Sequence, residues 1–202
     1  MAAFFQRLLS DGGNPGPVLP DQHSRCDKVS DTPPVFSVFK HAALRYWGCM
    51  PDLRIALYQP DIAGNTGTML RFAACLGIGV DVIEPAGFDL SDRNLKRAGM
   101  DYLATVALTR HVSWTHFQAW RAESGRRLVL ASTKAAVRYT DFAYRPNDIL
   151  LFGRESAGVP DDVHALADGR VLIPMVEGQR SINVALSAAM IAGEALRQTG
   201  FA

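Results

Sequence analysis

From residue 53 onward the hydrophobic positions change period at short intervals. "LRIALY", residues 53–58, has the length and apolar content of a strand, and "NTGTMLRFAACLG" behind it is helical and stops at Gly77. "VDVIEP" predicts a strand closed by Pro85, "SDRNLKRAG" a short helix with Ser91 as N-cap, and "ATVAL" a further strand. "SWTHFQAWRAES" predicts a helix capped by Ser113. "RLVLAS" and "DILLFG" follow as strands, "PDDVHALA" as a short helix with proline at a tolerated first-turn position, and "RVLIP" as the last strand. A final helix runs from about Ser181 to Gln198. Strands alternating with helices predict an α/β fold, a mostly parallel sheet with helices on both faces. No internal repeat is visible.

Residues 1–49 break this pattern. "SDGGNPGPVLPDQHSRCDKVSDTPP" is rich in Gly, Pro, Ser and Asp, and such a composition cannot bury enough surface to fold alone. It reads either as a disordered tail or as a mis-assigned upstream extension with Met50 as the true initiator, and the composition favours the second. "MAAFFQRLL" is too short and poorly flanked for a signal peptide. Residues 50–202 are expected to form one domain.

Bulk chemistry excludes several classes. No apolar run reaches the roughly 18 residues of a membrane span. The net charge of +1 is not that of a polycation. Three cysteines without paired spacing, Cys26, Cys49 and Cys75, point to a reducing, cytoplasmic setting with no disulfide framework and no zinc site. From Met50 onward 14 Arg and 2 Lys balance 11 Asp and 5 Glu. Arginine, the dominant cation, suits bidentate phosphate contacts, although base composition explains the ratio equally well.

In open α/β sheets ligands collect at the carboxyl ends of the strands. There the chain places "QPDIAGNTGTMLR", "STK", "GRESAGVP" and "MVEGQRSIN", where Gly, Ser, Thr, Asn, Arg and Glu concentrate. No strand is followed by G-x-G-x-x-G. The Gly153–Gly158 spacing suits a phosphate loop, but the chain continues Val-Pro, without the Lys and Ser/Thr such a loop needs. Asn65 and Thr66 lie near the start of the first helix, and Thr68 and Arg71 share a face near its mouth. Glu155 lies between glycines beyond a buried strand. With Ser181 as cap, Asn183 falls inside the first turn of the last helix, a poor place for Asn unless its amide is aimed at something.

These stretches, in this order, resemble the signature motifs of the SPOUT superfamily and its SpoU/TrmH branch of RNA ribose 2′-O-methyltransferases. The linking segments "IEPAGFDLSDRNLKRAGMDY", "LFGRESAGVP" and "IPMVEGQRSINVALSAAMIAGEALRQTG" are most similar to the small TrmL type. The likeness covers about residues 52–200. It implies a C-terminal trefoil knot, S-adenosylmethionine as cofactor, and methylation of the wobble cytidine or carboxymethylaminomethyluridine of tRNA, mainly leucine tRNAs. It places the main chain around Ala131, Gly153 and Ile173, with Ser181, against the cofactor, and Ala131, Ile173 and Met175 as apolar walls for the adenine. A homodimer is implied, packed through the first and last helices, with the site completed across the interface.

The chemistry then assigns roles. A ribose hydroxyl is a weak acid, so Arg71 is expected to stabilise charge developing on its oxygen while the proton leaves to a phosphate oxygen or water. Ser181 is expected to cap the last helix and meet the cofactor. Asn183 is expected to hold the glycine loop and the ribose, and Glu155 to accept from Asn65 or Arg71 and fix their aim. Arg93, Lys96 and Arg97, at i, i+3 and i+4, give one basic helical face for phosphates of an anticodon stem-loop, with Arg110 and His111 near it. Other readings are methylation of another tRNA or rRNA position, a non-catalytic knotted RNA binder, and a metal or thiol enzyme built on His111, His116 or Cys75.

Overall fold

The structure, a computed structural model, describes residues 52–90 and 106–200. In chain order its elements are β1 (Arg54–Tyr58), α1 (Ala63–Leu76), β2 (Gly79–Ile83), β3 (Leu108–His111), α2 (Trp114–Ser124), β4 (Leu128–Ala131), β5 (Val137–Arg138), β6 (Ile149–Phe152), α3 (Asp161–Ala165), β7 (Gly169–Leu172) and α4 (Val184–Thr199). The strands form one sheet in the order β3-β2-β1-β6-β4-β7-β5, and every pairing among them is parallel.

Alternation along the strands builds two cores. Ile55, Leu57, Val80, Val82, Val129, Leu150 and Phe152 face α1 and α4, whose Met69, Leu70, Ala73, Ala188, Ile191 and Ala192 complete that layer. Ala56, Tyr58, Ile83, Leu128, Leu130, Ile149 and Leu151 face the other way, onto Phe117 of α2 and Val163 of α3. Both faces are thus covered, as a parallel sheet requires. The small-residue face of α4 is an internal contact: Ala185, Ala188, Ala192 and Ala195 are buried and let α4 lie close to α1. Helix ends follow local chemistry. Ser113 Oγ accepts from His116 N at the start of α2. Gly77 closes α1 at φ 68°, a left-handed conformation that glycine adopts without strain.

Three expectations need correction. The "ATVAL" strand is displaced: Val106 and Ala107 precede the strand, which runs Leu108–His111. Its polar residues look like a turn in sequence but each finds a partner across the sheet. Thr109 Oγ1 accepts from Arg54 Nη2 (3.1 Å), Arg110 pairs with Glu84 (2.8 Å), and His111 Nε2 donates to Asp81 Oδ1 (2.9 Å). The final helix begins at Val184, not Ser181, because Asn183 is its cap. The short, exposed strand β5 has no apolar signature and exists through its pairing with β7. The expected helix capped by Ser91, with Arg93, Lys96 and Arg97, lies outside the described residues, as do residues 1–49 with Cys26 and Cys49, and Met50.

Candidate active site

The carboxyl ends of β1, β4, β6 and β7 surround a cavity of about 490 Å³. All five residues expected beside the cofactor, Ala131, Gly153, Ile173, Met175 and Ser181, line it, and so do Asn65, Glu155 and Asn183. Four segments, with Asn65 and Asn183 118 residues apart in sequence, therefore meet at one wall because parallel strands deliver them to the same edge.

The polar wall is a directed chain of hydrogen bonds. Asn183 Oδ1 accepts from Ala185 N (2.9 Å) and Leu186 N (3.3 Å), satisfying two open amides of α4. That fixes the amide orientation and turns Nδ2 toward Asn65 Oδ1, to which it donates at 3.0 Å. Asn65 must then present its own Nδ2, which donates to Glu155 Oε1 at 3.1 Å. The second oxygen of Glu155 accepts from Asp61 N at 2.8 Å. Neither Asn can flip without setting a donor against a donor, and each keeps one spare N–H. The expected Asn65–Glu155 bond is thus present, whereas Asn183 bonds Asn65 and its own helix rather than the main chain of the glycine loop. Asn65 is free to do this because α1 starts at Ala63, with Ile62 at the cap position and no side-chain cap.

Glu155 is carried on a tight turn. Arg154 and Gly158 exchange main-chain hydrogen bonds (2.9 and 2.8 Å), and Gly158 sits at φ 68°. A Cβ at Gly153 would lie 2.5 Å from the Gly158 carbonyl carbon, so this close approach admits only glycine. Gly153→Ala is expected to push the turn outward, at about 1–3 kcal/mol by overpacking, measured by equilibrium unfolding in urea.

Asp61 pins the same turn and has no signal in the sequence, since its partners are some 90 residues away. Hydrogen bonds from Arg154 and Ser156 hold its carboxyl down at about 2. The folded pKa lies below the unfolded one, so this interaction favours the fold above the ordinary carboxylate range and is lost as pH falls toward about 2. It is intact at neutral pH.

Other expected site residues fall elsewhere. Ser181 lines the cavity but caps nothing; the cap geometry belongs to Asn183, two residues nearer α4. Arg71 is exposed in the third turn of α1, because the helix starts before Asn65, and it is not among the residues lining its own chain's cavity. Six residues from Asn65 along a helix is about 9 Å of rise. His111, expected near RNA, is 1% exposed and bonded to Asp81, and Arg110 is engaged by Glu84. Sequence reading missed His164, which lines the cavity. Among the described residues no cluster of three or more His, Cys, Asp or Glu is placed to hold a metal ion, and no helix is long and apolar enough to cross a membrane.

Known proteins share this chain's sequence and fold. Residues 52–193 match the SpoU rRNA Methylase family, a span that takes in every residue lining the cavity. A tRNA (cytidine(34)-2′-O)-methyltransferase of Beijerinckia indica subsp. indica is 66% identical over 146 residues, 72% of this chain and 91% of that protein. The enzyme of the same name from Escherichia coli K12 is 38% identical over 151 residues, 74% of this chain and 95% of its own. A structure solved for insights into the 2-OH methylation of C/U34 on tRNA superposes with a TM-score of 0.68 at 40% identity, covering 72% of this chain and 95% of that one. The SpoU methyltransferase AviRb from Streptomyces viridochromogenes, in complex with the cofactor AdoMet, gives a TM-score of 0.67 at 29% identity, over 76% and 63% of the two chains. With a parallel sheet, a polar wall at its carboxyl edge and a family match over most of its length, the chain belongs to the SpoU rRNA methylase family.

Proposed function

We propose that this protein methylates the ribose 2′-hydroxyl of the wobble nucleotide, position 34, of tRNA, with S-adenosylmethionine as methyl donor and leucine tRNAs as main substrates. The observation that carries the reading is the match to tRNA (cytidine(34)-2′-O)-methyltransferases along nearly their whole length. The cytoplasm, where tRNA is processed, is its place of action. The family's trefoil knot is part of the same reading.

The cavity wall suits the donor. Ala131, Ile173 and Met175 offer apolar surface to an adenine, Met175 with a polarisable thioether of its own. His164 offers a polar contact. Its Nδ1 accepts from Arg170 Nε at 3.2 Å, and a guanidinium can only donate, so the neutral ring carries its proton on Nε2. Among the described residues that Nε2 is buried without a hydrogen-bond partner, so a small turn of the ring toward the cavity would offer it to a nucleoside acceptor. When bound, S-adenosylmethionine supplies an electrophilic methyl group on a sulfonium.

The chain's own residues orient the hydroxyl and stabilise its oxygen as charge develops. The spare N–H groups of Asn183 and Asn65 hold the ribose, while Glu155, with both oxygens engaged, keeps Asn65 aimed instead of taking a proton. Arg71 supplies the fixed positive charge from a second copy of the chain, which accounts for its place outside its own cavity. Leu186 and Met190, one turn apart on α4, are 59% and 40% exposed and give the dimer an apolar seam.

Mapping 2′-O-methyl groups on tRNAs from cells with and without the protein tests the reading. Methylation at position 34 of leucine tRNAs is expected to vanish in its absence. Retained methylation there, with loss at another RNA position, would overturn it.

A further inference from the structure

Asp61 bonds to three consecutive residues of the turn that carries Glu155. Its Oδ1 accepts from Arg154 Nε (3.1 Å) and Nη2 (2.8 Å). Its Oδ2 accepts from Ser156 N (3.1 Å) and Ser156 Oγ. Its own N–H donates to Glu155 Oε2 (2.8 Å). The Asp61 main chain is held in turn by the segment after β2: Gly87 N donates to Pro60 O at 2.8 Å, and a Cβ on Gly87 would lie 3.0 Å from Asp61 Cα.

This arrangement makes one residue the anchor of the polar wall. The chain of bonds Asn183–Asn65–Glu155 has a fixed direction, and its far end is set by where the 154–156 turn stands. Asp61 holds that turn on both sides of Glu155 and also bonds Glu155 itself. We infer that Asp61 is a positioning residue for methyl transfer, acting through Glu155 and Asn65 to place the amides that hold the ribose. The inference rests on the function proposed above. The carboxylate is specific to the task because it must accept from Arg154 and from Ser156 at once. An asparagine can accept only through its single oxygen, so its amide nitrogen meets either the Arg154 guanidinium or the Ser156 N–H as donor against donor.

Asp61→Asn tests this, with Asp61→Ala as the second variant. Both are expected to lower single-turnover kcat by roughly 10- to 100-fold, the scale of a small misplacement of reacting groups, with the affinity for S-adenosylhomocysteine moved much less. Arg154→Ala combined with Asp61→Ala is expected to cost less than the two single losses together, because both break the same contact. The side-chain amide signals of Asn65 and Asn183, followed by nuclear magnetic resonance on the full chain, are expected to shift and to exchange faster in Asp61→Asn. Unchanged kcat, or a loss that merely follows cofactor affinity and melting temperature, overturns the inference. So do unmoved Asn65 and Asn183 amide signals. That spectroscopic arm decides the positioning even if the unsubstituted protein left tRNA unmethylated, a result that counts against the proposed function alone.

Discussion

Arg71→Ala is expected to slow single-turnover methyl transfer about 100- to 1000-fold at saturating tRNA, the range for removing one donor aimed at a developing oxyanion. This side chain is exposed on α1, where a surface contact is worth about 0–1 kcal/mol, whereas the buried positions around it, Met69, Leu70 and Ala73, hold the core. Melting temperature and S-adenosylhomocysteine affinity are therefore expected to stay close to wild type. A guanidinium is protonated at any working pH, so it acts as fixed charge and cannot serve as the base. The proposed dimer, with Arg71 reaching the partner's cavity, gives a second readout. Mixing Arg71→Ala with Asn183→Ala chains makes heterodimers with one cavity that has both groups and one that has neither. Random mixing of two inactive variants is then expected to restore about a quarter of wild-type activity. Wild-type rates for Arg71→Ala, or no recovery on mixing, would remove Arg71 from the reaction or the partner from the site.

The largest stability effect is expected at Asp81. This residue is 0% exposed on β2, beneath α2 and far from the cavity wall. It accepts from Arg54 Nε at 2.6 Å and Nη2 at 3.1 Å, and from His111 Nε2 at 2.9 Å. The Arg54 guanidinium has no room to turn away. Its Nη1 lies where a Cβ on Gly79 would meet it at 2.5 Å, and its carbon stands 5.3 Å from the Trp120 ring centroid. Asp81→Ala leaves this largely buried cation without its counter-charge, with Thr109 Oγ1 as its remaining acceptor, at a cost of about 3–5 kcal/mol. Equilibrium unfolding in urea measures the loss. Replacing Arg54 and Asp81 together by apolar residues of similar volume is expected to cost much less, since a missing pair leaves no orphaned charge. Equal losses for the single and double replacements would show that packing, not charge, sets the effect.

The Asp81 network also shows where sequence patterning stops. Arg54 and Asp81 fall within the expected strands, but Thr109, Arg110 and His111 read as following one, so β3 is expected three or four residues too early. Their places become sensible only when β1, β2 and β3 lie side by side and the charges meet. The same holds at the cavity. The stretch Arg180-Ser181-Ile182-Asn183 contains two good N-cap residues, and local preference does not choose between them. The choice falls to Asn183 because its other amide group is taken by Asn65, 118 residues away. Asp61 passes unnoticed in "QPDIAG" for a related reason: an Asp after Pro reads as turn chemistry, and its partners Arg154 and Ser156 come from the turn after β6.

What the sequence by itself determined is the local alternation. Apolar runs of strand length, the first helix stopped by Gly77, the Ser113 cap and polar loops after β1, β4, β6 and β7 all follow from forces acting over a few residues. Their motifs were enough to point to the family and to five residues that line the cavity. Only the tertiary structure decided the strand order, the buried ion network, the directed bonds from Asn183 to Glu155, and the separation of Arg71 from its own cavity. The physical reason is range: hydrogen-bond direction and charge pairing depend on which groups face each other after the sheet assembles, and no spacing along the chain encodes that meeting.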